Sequence, residues 1–356
     1  IRHQYHAIGF EAIVNSDNLK YVHHIVLKAY TADHCGEACF NGDDEATTSS
    51  SPLCENLNFA DIFLWAPGSS DIVLPDDVGF LLGNASGRFL SVGLQTHYNN
   101  PDEVEGLIDD SGVRVYYTDE LRPIHMGVIQ LGDPFVYLEG EPVPEGKSSY
   151  TFQCPSSCFE EHFEIDTVTV FSHGLHMHEN GQRLQTRQYR TNSDGEEVMV
   201  YDFDVEYYSF LQAGAHILTT NNSVTIQKGD RFETTCYYDT DLSSVGSENV
   251  TFGLGSENEM CIDFVLYYPD QNVPFSGACG VGMCGGSMDE AEELAADSDF
   301  ERFFGVVDTC STAAGGDEVA TSSSSSSATP GLVPLTYAVA STVALACAPL
   351  IAHFCI

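Results

Sequence analysis

The stretch FSHGLHMHENGQ, residues 171–182, sets His176 and His178 two positions apart in an apolar run. Side chains at i and i+2 of a strand point to one face, so both imidazoles can reach a single ion, while Met177 and His173 face away. Far upstream, YVHHIVL carries His23 and His24 side by side. Neighbours on a regular strand point to opposite faces, so this pair serves one ion only where the strand is distorted or ends. On an undistorted strand one ring is buried and the other solvated. His97 follows in LQTHYNNP, at a strand end beside a turn. Met260 sits next to Cys261 in ENEMCIDFVLYYP, where a methionine is ordinarily core. His173 reads as solvated or core, and His125 and His216 as structural.

The elements that must position these residues read as strands. YVHHIVLKAY, GVRVYYT, DTVTVFS, SVTIQ, RFETTCYY and CIDFVLYYP are short alternating or β-branched segments, broken by Gly, Pro, Asn and Asp. QKGDRF reads as a hairpin-style turn between two of them. Many short strands at regular spacing indicate all-β sandwich or barrel domains. The Pro/Gly-rich segment 140–149 is the natural boundary, giving domains at 1–147 and 148–285, with no sequence repeat between them. Helical periodicity first appears in SMDEAEELAADSDFERFF, so 286–310 reads as an acidic helical extension.

At 356 residues the chain is long enough for two domains of the usual ~100–200 residues. The 13 Lys+Arg against 53 Asp+Glu give a net charge of −40, which excludes nucleic acid and anionic membrane surfaces as partners. Ten of the 12 cysteines precede residue 311, and no paired CxxC zinc pattern accompanies them, so they read as a disulfide framework in an oxidising compartment. Sequons at Asn84, Asn221 and Asn249 agree with secretion. The chain opens at Ile1 without a leader, which suggests that first strands and a signal peptide are missing. At the other end a Ser/Thr-rich linker, 311–330, leads into an apolar tail, 331–356. Small residues, a polar spacer and a terminal apolar stretch without a basic stop-transfer cluster favour a GPI signal, with its attachment site among Ser322–Ser327, over a peptide membrane anchor.

Four motifs in order carry a resemblance: His23-His24; Leu94-Gln95-Thr96-His97-Tyr98-Asn99-Asn100-Pro101 with Asp110-Ser111-Gly112; His176-Met177-His178; and Glu259-Met260-Cys261 before Tyr267-Tyr268-Pro269. Together, and with GVRVYYTDELRP as a flank, they resemble the copper type II, ascorbate-dependent monooxygenases, the family of dopamine β-hydroxylase and the peptidylglycine amidating enzyme. The likeness runs from about residue 2 to 270. It implies two consecutive antiparallel jelly-roll-like β-sandwiches, each carrying one copper and facing the other across a solvent-filled cleft. His23, His24 and His97 would hold an electron-transfer copper; His176, His178 and Met260 would hold the copper that binds O2. The donor types agree, because imidazole suits copper in both oxidation states and a thioether favours Cu(I). Zinc sites draw instead on Cys, His and carboxylate. Ascorbate would be the reductant, O2 the co-substrate, and the product a hydroxylated C–H.

The resemblance also implies a Cys236–Cys261 bond and a reach of Cys154 and Cys158 to cysteines beyond the domain's end, with Cys279, Cys284 and Cys310 as candidates: Cys279 is preferred for Cys154, and Cys310 is assigned to Cys158. Such bridges stabilise by roughly 2–4 kcal/mol each. Tyr30 stands where the family usually has a cysteine, and Cys35, Cys39 and Cys54 are odd in number, so the first domain's pairing stays open. The amidating branch grips a substrate carboxylate with an Arg, an Asn and a Tyr at positions occupied here by Gly174, Ile262 and Phe264. The two β-strand residues share Met260's face. This apolar wall offers a buried carboxylate no partner. The expected substrate is therefore small, uncharged or aromatic, and hydroxylated at an activated carbon. Two other readings compete: a catalytically inactive copper-binding or adhesive surface protein on the same fold, and a zinc hydrolase. The hydrolase would want a carboxylate or third histidine where Met260 stands.

Overall fold

The computed structural model describes residues 3–30, 59–83, 89, 91–100, 102–134, 136–210, 214–218, 224–271, 273, 277–280, 282–284 and 351–352. The acidic helix, the Ser/Thr linker, the GPI attachment region, Cys35, Cys39, Cys54, Cys310, Asn84 and Asn221 lie outside these residues, as does the apolar tail apart from Ile351–Ala352. Among the described residues no helix is long and apolar enough to cross a membrane.

The first unit contains β1 (Tyr5–Ile13), β2 (Val22–Tyr30), β3 (Phe59–Trp65), β4 (Ile72–Val73), β5 (Val78–Leu82), β6 (Ser91–Tyr98), β7 (Gly112–Thr118) and β8 (Ile124–His125). One sheet runs β4-β1-β5-β8 with β7 also on β1; the other places β2 between β3 and β6. Their facing side chains build one core, in which Phe10 stacks on Phe63 with ring centroids 5.5 Å apart. β1 and β2 are rich in Val, Ile, Phe and Tyr, residues that fill a pleated, half-buried surface.

The second unit contains β9 (Gly127–Gly132), β10 (Lys147–Cys154), α1 (Ser156–His162), β11 (Thr167–His176), β12 (Gly181–Thr191), β13 (Glu197–Val205), β14 (Ala215–Ile217), β15 (Val224–Gln227), β16 (Arg231–Asp239), β17 (Ile262–Tyr268), β18 (Ala278–Gly280) and β19 (Met283–Cys284). A seven-stranded sheet, β14-β11-β17-β9-β18-β19 with β15 on β11, packs on a four-stranded sheet, β10-β16-β12-β13. The all-β, two-sandwich expectation holds.

Three details differ from the sequence reading. β9 sits inside the second sheet, paired with β17 and β18, so the 140–149 segment falls within the second unit and the chain changes units at residues 124–127. The Pro/Gly signal there is a surface loop tied to residues 250–252 by backbone hydrogen bonds such as Val143 N to Val250 O, 2.9 Å. QKGDRF makes a turn but no hairpin, because β15 pairs in one sheet and β16 in the other. The fully buried Asp230 carboxylate holds that corner, accepting from Gln227 N at 2.6 Å, Gln188 Nε2 at 2.6 Å and both Arg190 donors at 2.7 Å. Finally, Cys158 bonds Cys284, not Cys310. The register of β18 on β19 sets Cys279 opposite Cys284, so one short hairpin takes up both Cys154 and Cys158. The Cys154–Cys279 and Cys236–Cys261 bonds are as expected.

Candidate metal centre

The β2–β6 ladder carries a register shift between Val22 and His24. This bulge adds His23 as an extra residue and re-aims its side chain, which is the distortion that adjacent histidines need. His24 pairs directly with His97 across the ladder. The three rings converge, with centroids 5.1 Å (His23–His24), 4.9 Å (His23–His97) and 4.7 Å (His24–His97) apart. One ligand atom from each lies within 4.8 Å of the others.

His176 closes β11 and His178 lies just beyond, in the turn to β12, with their rings 4.9 Å apart. A Cβ at Gly181 would fall 2.6 Å from the Cβ of Met177, so only glycine lets this turn fold back so tightly. β11 pairs His176 with Ile262, the first residue of β17, and Met260 lies two residues ahead of that strand. Met260 is buried, and its carbonyl accepts the Tyr238 hydroxyl at 3.0 Å. Tyr208 clamps Met177 twice, accepting from its N–H at 3.0 Å and donating to its carbonyl at 2.8 Å. Glu259, fully buried, ties the two segments together. It accepts from His178 N at 3.0 Å, Asn180 N at 2.7 Å and Asn180 Nδ2 at 3.0 Å. Burial pushes its carboxyl up to about 7, against the pull of those backbone donors.

Burial also keeps the rings neutral. It lowers His23 to about 3 and His178 to about 4, and holds His24 and His176 well below the usual imidazole range. Neutral imidazoles offer lone pairs, yet His23 Nε2, His176 Nδ1 and His178 Nε2 are buried without a hydrogen-bond partner among the described residues. Each orphaned atom costs about 1–3 kcal/mol unless something binds it. His178 Nδ1 lies 3.1 Å from the Asn258 carbonyl, and donating there leaves Nε2 as the ligand atom. Three converging imidazoles in one set and two in the other are donors that suit copper.

The two sets are not parted by solvent. His23 and His178 have ring centroids 5.4 Å apart, His24 and His176 5.6 Å. Phe210 stacks on His23 at 4.3 Å and meets His178 edge-on at 6.2 Å. A cavity of about 860 Å³ between the units reaches His23. Gly174 and Phe264 line a crevice of only about 40 Å³ against β3, while Ile262 is core. His173 is buried, with Nδ1 2.9 Å from the Asp263 carboxylate, and does not join the cluster. His125 pairs with His6, and His216 sits exposed on β14 opposite His173. Sequence reasoning gave no role to Tyr208, Phe210, Tyr238 or Glu259. A glutamate beside a strand methionine was the one readable signal among them.

Family comparisons follow this geometry. The N-terminal domain of the copper type II ascorbate-dependent monooxygenases matches residues 1–105, and the C-terminal domain matches 124–293. The chain belongs to this family. The second match starts at residue 124, at β8 and three residues ahead of β9. Among curated relatives of the family, dopamine beta-hydroxylase of Rattus norvegicus is 31% identical over 269 residues, 75% of this chain and 41% of that protein. Tyramine beta-hydroxylase of Caenorhabditis briggsae is 31% identical over 272 residues, 76% and 43%. Dopamine beta-hydroxylase of Equus caballus is 32% identical over 272 residues, 75% and 42%. The chain thus spans less than half the length of these relatives. Among solved structures, the capsid of infectious bursal disease virus aligns with a TM-score of 0.16 at 12% identity, over 78% of this chain and 60% of that one, too little to bear on the fold.

Proposed function

We propose that this chain is a copper monooxygenase that hydroxylates an activated C–H of a small, non-carboxylate substrate, aromatic or apolar, using O2 and ascorbate. The observation that carries the reading is the convergence of five buried or half-buried histidines with three orphaned ring nitrogens. His23, His24 and His97 would hold the copper that relays electrons; His176, His178 and Met260 would hold the one that meets O2. Bound there, copper supplies one-electron chemistry and O2 activation. The chain's part is to fix the ligands, through the His23 bulge, the Glu259 strap and the Tyr238 and Tyr208 clamps, and to keep the rings neutral by burial.

On the substrate side, the crevice along Gly174 and Phe264 is too small for a substrate and Ile262 is core. The case against a substrate carboxylate is that none of these three side chains carries a charge or a hydrogen-bonding group. The relatives' names, dopamine and tyramine hydroxylases, support an aromatic substrate. The three disulfides and the exposed Asn249, in a sequon, support passage through the secretory pathway. Anchoring at the cell surface through the apolar tail completes the proposal.

Metal content by mass spectrometry tests it. The copper-reconstituted parent should carry two coppers, and Met260→Ala and His97→Ala about one each. A parent with no copper would end the enzymatic reading.

A further inference from the structure

β11 and β17 do not pair straight through. Val170 lies opposite Tyr267 and Ser172 opposite Leu266, so Phe171 is an extra residue bulged out of the ladder. Beyond the bulge His173 pairs with Val265, Gly174 with Phe264, Leu175 with Asp263 and His176 with Ile262. Ser172, Gly174, Phe264 and Leu266 line the crevice against the first unit, and His176 shares their side, its ring 5.6 Å from that of His24. The bulge decides this. Without it β11 would move one place along β17, every later side chain would change face, and His176 would turn into the interior between the sheets.

A polar pair sits on the interior face just past the bulge. His173 Nδ1 donates to the Asp263 carboxylate, 2.9 and 3.1 Å from its two oxygens, with side chains 2% and 0% exposed. Asp263 also accepts from Thr186 Oγ1 of β12 at 2.8 Å, and Phe203 of β13 stacks on the His173 ring at 4.1 Å with planes 19° apart. Both strands of the ladder are thus tied to the facing sheet at this point. The pair can form in the bulged register alone. Residue 173 shares the face of Asp263 only while it stands opposite Val265; opposite Phe264 it would point to the other side and leave the carboxylate with Thr186.

Burying such a pair is a poor route to stability, because apolar residues of similar volume do as well; what it supplies is a choice of register. Resting on the proposed role of His176 as a copper ligand, we propose that His173 and Asp263 are positioning residues that lock the β11 bulge and so aim His176 at the metal centre.

Hydrogen exchange read by mass spectrometry on the metal-free chain tests the lock without copper. Replacing both residues, His173→Leu with Asp263→Leu, leaves no buried charge without a partner, so the variant should fold, which a melting curve checks. Exchange across 172–176 and 262–266 should then rise about tenfold, with 167–170 as protected as in the parent. Asp263→Asn keeps an acceptor for His173 Nδ1 and should exchange like the parent; exchange as fast as in the double variant would overturn the proposal. If the double variant does not fold, His173→Phe, which keeps the ring on Phe203 and removes the bond, takes its place with the same expected pattern. Parental exchange across 172–176 in a folded variant without the pair overturns the proposal. So does equal loss at 167–170, because the pair would then support the whole sheet and not its register. On copper-reconstituted protein, the double variant should hold copper about tenfold more weakly at the His176 set, with the His23 set unchanged, as read by chelator competition. Equal weakening at both sets, or at neither, also overturns it. A chain that takes up no copper defeats the monooxygenase reading, while the exchange result still decides the lock.

Discussion

Glu259 accepts three hydrogen bonds from the turn that carries His178, and it precedes Met260 in the chain. Glu259→Gln keeps the shape but replaces one accepting oxygen by an NH2 that faces donors. Copper at the His176–His178–Met260 set should then be held about 10–100-fold more weakly, with the His23 set unaffected, as read by chelator competition on reconstituted protein. A second prediction concerns His6. Its Nδ1 accepts from Arg122 N at 2.8 Å and its Nε2 faces His125 Nδ1 at 2.9 Å, so a proton added at Nδ1 would meet a donor. Burial, with His125 and Arg122 helping, lowers it from 6.5 to about 4. Between those values the unfolded chain binds the proton and the folded one does not, so stability is complete above about pH 6.5 and declines as the pH falls toward 4. His6→Gln should lower the melting temperature at pH 7 and flatten its fall between pH 7 and pH 5. A parallel fall in both proteins would show that His6 does not contribute.

Strands, turns and bulges were legible in the sequence to different degrees. Alternating or β-branched runs marked β2, β7, β11, β15, β16 and β17, because such residues fill a pleated, packed surface. They could not say which strand lies beside which, so QKGDRF looked like a hairpin although its two strands lie in different sheets. The same limit hid β9, since a fully buried six-residue strand carries no alternation. The five histidines that the fold brings together, His23, His24, His97, His176 and His178, stood out by residue type and order. The bulge that makes adjacent histidines usable, and the carboxylate and tyrosines that fix the turn, depend on tertiary neighbours that no local pattern encodes. The tight turn after His178 makes its own prediction. Gly181→Ala drives a methyl into Met177 and should cost about 1–3 kcal/mol in denaturant unfolding while loosening copper at that set.

Across the whole molecule, two bridges fasten the β18–β19 hairpin to β10 and α1. Replacing Cys158 and Cys284 together by serine should cost about 2–5 kcal/mol, seen as a lower urea midpoint, with the β11–β17 ligand geometry intact while folded. The family resemblance implied the staple, with Cys279, Cys284 and Cys310 as candidates for its far end. It could not separate Cys284 from Cys310, because chain distance says little about which thiol a hairpin brings near.

The passage from one unit to the other is only a few residues long, and both units grip it. Met126 N donates to Gly79 O at 3.0 Å in the first, while Asp270 N donates to His125 O at 2.8 Å in the second. The very next residues are β9, the strand between β17 and β18. Anyone dissecting this protein must therefore cut ahead of residue 127. A second half begun at 148 would lack a central strand, leave β17 with a bare hydrogen-bonding edge directly beside the Met260 segment, and tend to aggregate through that edge. A half begun at 124 would carry the strand with it.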